Sequence, residues 1–134
     1  MADMFNKPLT EEDIKNRLIT PAIEKAGWDK SHIRMEWSYT DGEIIVRDNM
    51  KHRGKRKKVD YVLLSDDNYP IAIVEAKSGK HAHYDGIQQA KDYANDITMM
   101  SKDFDVPFAF SSNGNKFRFY NRLDPEHPEK DLDI

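Results

Sequence analysis

Cysteine is absent from the 134 residues, which removes disulfides and thiolate metal sites and fits a reducing compartment such as the cytoplasm. No apolar run is long enough to cross a bilayer, and the first residues lack the apolar centre of a secretory signal, so no membrane role is expected. The chain also has no glycine-rich phosphate loop, no HExxH pair and no Ser/His/Asp set. Nucleotide-binding, zinc-protease and serine-hydrolase chemistries are therefore without their usual marks. Hydrophobic residues make up only 38% of the chain and charged ones 34%. A chain of this length forms one domain with a core of its own.

Charge is plentiful and unevenly placed. The 24 acids and 21 bases leave a formal net charge of −3, which argues against a nonspecific coat on DNA. Yet Lys51-His52-Arg53-Gly54-Lys55-Arg56-Lys57-Lys58 packs six cations into eight residues. Such a run is ordinarily a solvated loop. Next to an acidic pocket it reads better as a phosphate-attracting loop acting through Lys55, Arg56, Lys57 and Lys58. It leads into Val59-Asp60-Tyr61-Val62-Leu63-Leu64, and a Ser65-Asp66-Asp67-Asn68 turn precedes Pro70-Ile71-Ala72-Ile73-Val74-Glu75-Ala76-Lys77. Both segments carry apolar residues on both faces, as central covered strands do. Burying a lone charge costs roughly several kcal/mol, so Asp60 and Glu75 need a partner, a proton or a cation. Side chains alternate along a strand, so Glu75 and Lys77 share a face.

Elsewhere the chain punctuates itself clearly. Thr10 reads as an N-cap, with Asp13 completing a weak capping box and Leu9 stapling to Ile14. Ile14, Leu18, Ala22 and Ala26, with Ile19 and Ile23, form one helical stripe that Gly27 ends. Pro21 predicts a kink or a second helix starting at Thr20. Ile33 to Thr40 alternates like a strand with one wet face, and Asp41-Gly42 turns it into Glu43-Ile44-Ile45-Val46. A helix is predicted from about His83 to Met100, with Ile87, Ala90, Ala94 and Ile97 on one face. Strands follow from Val106 to Phe110 and from Lys116 to Tyr120, around Asn113-Gly114. The tail from Asp124 reads as disordered or as a linker. The order of helix, strands, helix and strands specifies an α/β (α+β) fold, a mixed sheet flanked by helices.

Two carboxylates from neighbouring strands, Asp60 and Glu75, with the Ala76 carbonyl, make an oxygen shell suited to Mg²⁺. Lys77 can orient or deprotonate an attacking water while the cation offsets charge on a scissile phosphate. A D…ExK spacing arises easily by chance in so charged a chain. Acids at the ends of doubly apolar strands do not. Gln89 and Tyr93, four apart, lie along the edge of a helical stripe; taken alone, such a tyrosine is core with its hydroxyl in water. Glu11 and Glu12 are explained by the macrodipole of the first helix. His81 and His83 lack a third ligand and read as a solvent-facing loop. Trp28, Trp37 and the Phe117/Phe119/Tyr120 cluster read as core or strand aromatics.

Asp60, Glu75-Ala76-Lys77 and Gln89-Ala90-Lys91-Asp92-Tyr93 together resemble the PD-(D/E)XK nuclease superfamily with the QxxxY element of its helicase-coupled members. Five blocks in order resemble, more narrowly, the N-terminal endonuclease domain of the restriction (motor) subunit of type I restriction-modification enzymes. They are Leu18-Ile19-Thr20-Pro21-Ala22 with Ala26-Gly27-Trp28, Gly54 to Leu63, Ala72 to Lys77, Gln88 to Ala94, and Ser112-Asn113-Gly114. The resemblance covers about residues 10–121. It implies a restriction-endonuclease-like fold with a helix–strands–helix–strand core. It implies Mg²⁺, replaceable by Mn²⁺, on Asp60 and Glu75, with Lys77 acting on water. Glu11 would be an auxiliary acid, and Gln89 and Tyr93 would contact DNA or orient the site. Val59 stands where the motif carries proline.

The same resemblance implies double-stranded DNA as substrate and methyltransferase and specificity subunits as partners. Residues 1–123 would be the nuclease domain, and 124–134 a polar tail or linker toward a helicase motor that the chain lacks. ATP would act only through that motor, so an isolated fragment is expected to carry the site without activity. Two rivals stand beside this reading. One is a non-catalytic module that holds DNA or docks subunits, its acids forming an ion-pair set with Lys77. The other is a stand-alone repair or mobile-element nuclease.

Overall fold

Thr10 opens the first helix as a cap: its side chain accepts the Asp13 N–H at 3.1 Å, and the Asp13 carboxylate accepts the Thr10 N–H at 3.4 Å. In the computed structural model, which describes residues 9–40, 45–47, 50–52, 56–101 and 105–133, helix α1 (Glu11–Ile14) then widens. A π turn (Lys15–Ile19) follows before helix α2 (Thr20–Lys25). The widening has a local cause in Pro21. Its ring would strike the carbonyl four residues back in a regular α-helix, and it has no N–H to give. In the π turn the Thr20 N–H reaches the Lys15 carbonyl, five residues back. The helix expected to kink or restart at Thr20 restarts there.

The extra residue also shifts the helix's phase. Of the expected stripe, Ile14, Ile19 and Ile23 are the buried apolar positions, and Leu18 and Ala22 are half-buried. Ala26 is exposed. These isoleucines pack on Tyr61, Leu63, Ala72, Val74 and Ala76 of the sheet, each buried isoleucine contributing about 1.5–3 kcal/mol.

The sheet has six strands in the order β1 (Ile33–Thr40), β4 (Arg56–Leu64), β5 (Pro70–Ala76), β6 (Phe108–Ser112), β7 (Lys116–Asn121), β8 (Glu129–Asp133). All neighbours are antiparallel except β5 and β6. That parallel pair is bridged by helix α3 (Ile87–Ser101), the crossover that parallel strands require. The structure is thus the mixed α+β sheet with flanking helices that the residue pattern specifies. Helix α3 lays Ala90, Tyr93, Ala94 and Ile97 on one face, over Val59, Val62 and Ile73. Helices α1 and α2 cover the other face, so β4 and β5 are central and covered as expected. No helix among the described residues is long and apolar enough to cross a membrane.

Three local expectations need correction. The basic run is not wholly a loop, because Lys51 and His52 belong to β3 (Met50–His52) and Arg56, Lys57 and Lys58 begin β4. There they pair with Thr40, Tyr39 and Ser38. A long β1 offers these residues a ladder, and their charges can still reach water or an acid. The segment after the first strand forms β2 (Ile45–Arg47), which pairs with β3 in a separate ribbon and not with β1; the Asp41-Gly42 turn, Glu43 and Ile44 lie outside the described residues.

The tail, expected as a disordered segment or linker, instead supplies β8. Its acids have distant partners: Arg118 holds Glu129 at 3.0 Å and Asp131 at 3.0 Å, His83 meets Asp131 at 2.8 Å, and Lys91 pairs with Glu129. Leu132 lies opposite Phe117.

Candidate active site

In the β4–β5 register Tyr61 pairs with Val74, so Asp60 and Glu75 come next, at the point where the ladder stops. There the side chains take over its hydrogen bonds. Glu75 Oε1 accepts the Asp60 backbone N–H at 3.1 Å, and Asp60 Oδ2 accepts the Ala76 N–H at 2.9 Å. Each carboxylate is thereby fixed to the other's strand. Asp60 is 9% exposed and Glu75 5%.

The two acids open into a cleft of about 310 Å³. Lys77 lines it just past the end of β5, its backbone N–H donating to the Ser112 carbonyl at 2.8 Å. Gly86 makes room for it. A Cβ there would stand 2.8 Å from Ser111 Oγ and 3.3 Å from both Glu75 Cβ and Lys77 Cε, so the chain entering α3 lies directly against the acids' strand. From α3 come Gln89 and Tyr93, joined by a 2.8 Å hydrogen bond from Gln89 Nε2 to the Tyr93 hydroxyl. Glu11 and Glu12 enter from the first turn of α1.

The structure therefore brings Asp60, Glu75, Ala76, Lys77, Glu11, Gln89 and Tyr93 to one cleft. The basic residues divide. Lys58 lines the cleft, 3.5 Å from Glu36. Arg56 is exposed at the start of β4. Lys57 is drawn away to α3, where its ammonium meets Asp96 at 2.9 Å. Lys55 lies outside the described residues. His81 and His83 pair with separate acids, Asp85 and Asp131.

Two lining residues escape a reading of the sequence. Lys15 is only 3% exposed, and its ammonium bridges Asp60 Oδ1 at 3.3 Å and Glu36 Oε1 at 3.2 Å. Glu36 lies in β1 between Met35 and Trp37, which pair with Tyr61 and Val59 on either side of Asp60, and takes a left-handed φ of +52°. The one available signal for Lys15 is its place four residues after Glu11, on the same helical face. Nothing in the local pattern marks Glu36, because strand register is a property of the folded sheet.

The electrostatics follow from burial. Loss of water, then the Asp60 charge, pushes the Glu75 carboxyl up to about 9. Glu11 is raised for the same two reasons. Burial disfavours the Lys15 ammonium, but Asp60 and Glu36 outweigh it and hold the group above its usual value. Without a further cation, burial and the neighbouring acid leave Glu75 protonated at neutral pH.

That frustration fits a hard divalent ion, as does a donor set made only of oxygen. Among the described residues no three acid or imidazole side chains form a metal cage. Mg²⁺ does not ask for one, since it retains several waters and takes one or two carboxylates.

Comparison with known proteins points one way. Residues 8–128 match the family model described as Type I restriction enzyme R protein N terminus. The chain is 40% identical over 120 residues to the type I restriction enzyme EcoAI endonuclease subunit of Escherichia coli, covering 89% of this chain and 14% of that protein. A solved fragment assigned to the HsdR subunit of a type I restriction enzyme from Vibrio vulnificus YJ016 superposes with a TM-score of 0.72 at 32% identity. That match covers 95% of this chain and 23% of the other. The chain thus spans less than a quarter of either relative.

Proposed function

The chain belongs to the type I restriction enzyme R protein N-terminal family, and on that premise we propose that it is a Mg²⁺-dependent endodeoxyribonuclease domain of the PD-(D/E)XK kind. The observation that carries this reading is the mutual locking of Asp60 and Glu75 across two strand ends, in one cleft with Lys77. Asp60, Glu75 and the Ala76 carbonyl would hold the Mg²⁺, and Mn²⁺ can replace it. The bound ion supplies Lewis-acid stabilisation of a scissile phosphate and a water of lowered pKa.

The chain's own residues do the rest. Asp60 is anchored by the Ala76 N–H, so it presents a fixed oxygen edge. Lys77 Nζ orients the attacking water, with its stem seated against Gly86. Glu11, with its raised pKa, serves as auxiliary acid at the cleft's far wall. Gln89 and Tyr93, already hydrogen-bonded, form a fixed pair to contact DNA or orient the site. Lys58 and Arg56 draw the phosphate backbone in, together with Lys55; Lys57 is spent largely on Asp96.

Sequence choice and ATP-driven motion belong, in this reading, to the methyltransferase and specificity subunits and to a helicase motor elsewhere in a cytoplasmic assembly. A cleavage assay on the full-length subunit in its assembled complex tests it. Glu75→Ala and Lys77→Ala should abolish double-strand cleavage while ATP hydrolysis continues. Cleavage retained by the Glu75→Ala complex would remove the assignment.

One observation favours a second reading. Lys15 already neutralises Asp60, as an acid kept only for structure would require, and the domain would then hold DNA or dock subunits. Calorimetry separates the two. A folded chain giving no heat with millimolar Mn²⁺ supports docking, and a saturable isotherm supports the nuclease.

A further inference from the structure

We propose that the cleft takes a single divalent ion, because the Lys15 ammonium permanently fills the second cation position between Asp60 and Glu36. The inference rests on the metal reading above and goes beyond it by fixing the ion count and naming the residue that sets it. In two-metal phosphoryl-transfer sites a shared carboxylate bridges two cations roughly 3.5–4 Å apart. Asp60 is the carboxylate placed to be shared. Its Oδ2 is held by the Ala76 N–H at 2.9 Å, toward Glu75, and its Oδ1 faces Lys15 Nζ at 3.3 Å. The same ammonium lies 3.2 Å from Glu36 Oε1. Lys15 thus bridges the two acids that would otherwise receive a second ion.

The fold commits this lysine to its place. It is the first residue of the π turn, and its carbonyl accepts both the Thr20 N–H and the Tyr61 hydroxyl, the latter at 3.2 Å. Its side chain is 4% exposed, so its charge is held by the two acids and not by bulk water. Glu36 leaves the extended conformation in mid-strand, at φ +52°, between Met35 and Trp37, which both stay paired with β4. Its carboxylate meets Lys15 and Lys58.

The charge around the cleft agrees. Five carboxylates (Glu11, Glu12, Glu36, Asp60, Glu75) face three ammonium groups (Lys15, Lys58, Lys77). One divalent ion balances them. A second would leave the site strongly positive and pressed against an ammonium that cannot withdraw.

The test is Mn²⁺ binding to the 134-residue chain, counted by calorimetry and by electron paramagnetic resonance, with circular dichroism to confirm folding. The parent chain should bind one ion, and Lys15→Arg should also bind one. Lys15→Met should bind two, with the spin–spin coupling of neighbouring Mn²⁺ ions. Two ions in the parent overturn the inference alone, as does a folded Lys15→Met chain that still binds one. Should Lys15→Met fail to fold, the count for the parent decides, one supporting and two refuting. No binding by the parent or by folded Lys15→Met rejects the metal reading itself, and this inference with it.

Discussion

A carboxyl that burial and a neighbouring charge hold neutral up to about pH 9 gives the fold a pH dependence of unusual sign. Between the ordinary value of 4.5 and about 9, folded Glu75 keeps a proton that the unfolded chain has released. The native state binds more protons across that window, so stability falls as pH rises through it. Urea melts in EDTA should show this decline from pH 5 toward pH 9, and Glu75→Gln should flatten it. A parent curve that rises with pH would mean Glu75 is ionised without help. At this scale Asp60, Glu75 and Lys77 were legible because an acid in a doubly apolar strand is conspicuous in a short window of sequence. Gln89 and Tyr93 were visible only as a spaced pair, and the motif resemblance gave them a role. Lys15 and Glu36 were hidden because their meeting depends on a π turn and on strand register.

Between the elements, close fits set the site's geometry. Gly114 turns β6 into β7 at φ +93°, and a Cβ there would stand 2.5 Å from Leu18 Cδ1 and 3.0 Å from Ile14 Cδ1. The Ser112-Asn113-Gly114 block is thus a seat for the helical segment that carries Glu11 and Lys15. Gly114→Ala should cost about 1–3 kcal/mol through overpacking and backbone strain, read as a lowered denaturation midpoint. A change within ~0.5 kcal/mol would show that the helix is not seated there. The edge strand gives a second expectation. Truncation after residue 123 removes β8 and its pairing with Arg118, Lys91 and His83. It also bares the β7 edge, which invites association. The truncated chain should melt lower and scatter more light than the parent, and an unchanged melt would make β8 an accessory. This strand looked like a tail because its partners lie far away in sequence and its own residues are mostly charged.

For the molecule as a whole, the interior place of β4 and β5 and the covering of both their faces were legible in the hydrophobic pattern, whereas the full strand order, with β6 at the centre beside β5, depends on the folded sheet. The antiparallel pairing of β4 and β5 brings Asp60 beside Glu75 with no contribution from the loops. The parallel β5–β6 step carries α3 across to the same end, which delivers Gln89 and Tyr93. One end of the sheet thus collects acids from α1, β1, β4 and β5, and everything proposed about function depends on a cation joining two of them. Crystals of the 134-residue chain soaked in Mn²⁺ and measured at the manganese absorption edge test this most directly. An anomalous peak should appear in the cleft, shared by the Asp60 and Glu75 carboxylates and the Ala76 carbonyl. A fully soaked crystal with no peak in the cleft, or with the ion on other residues, would contradict it.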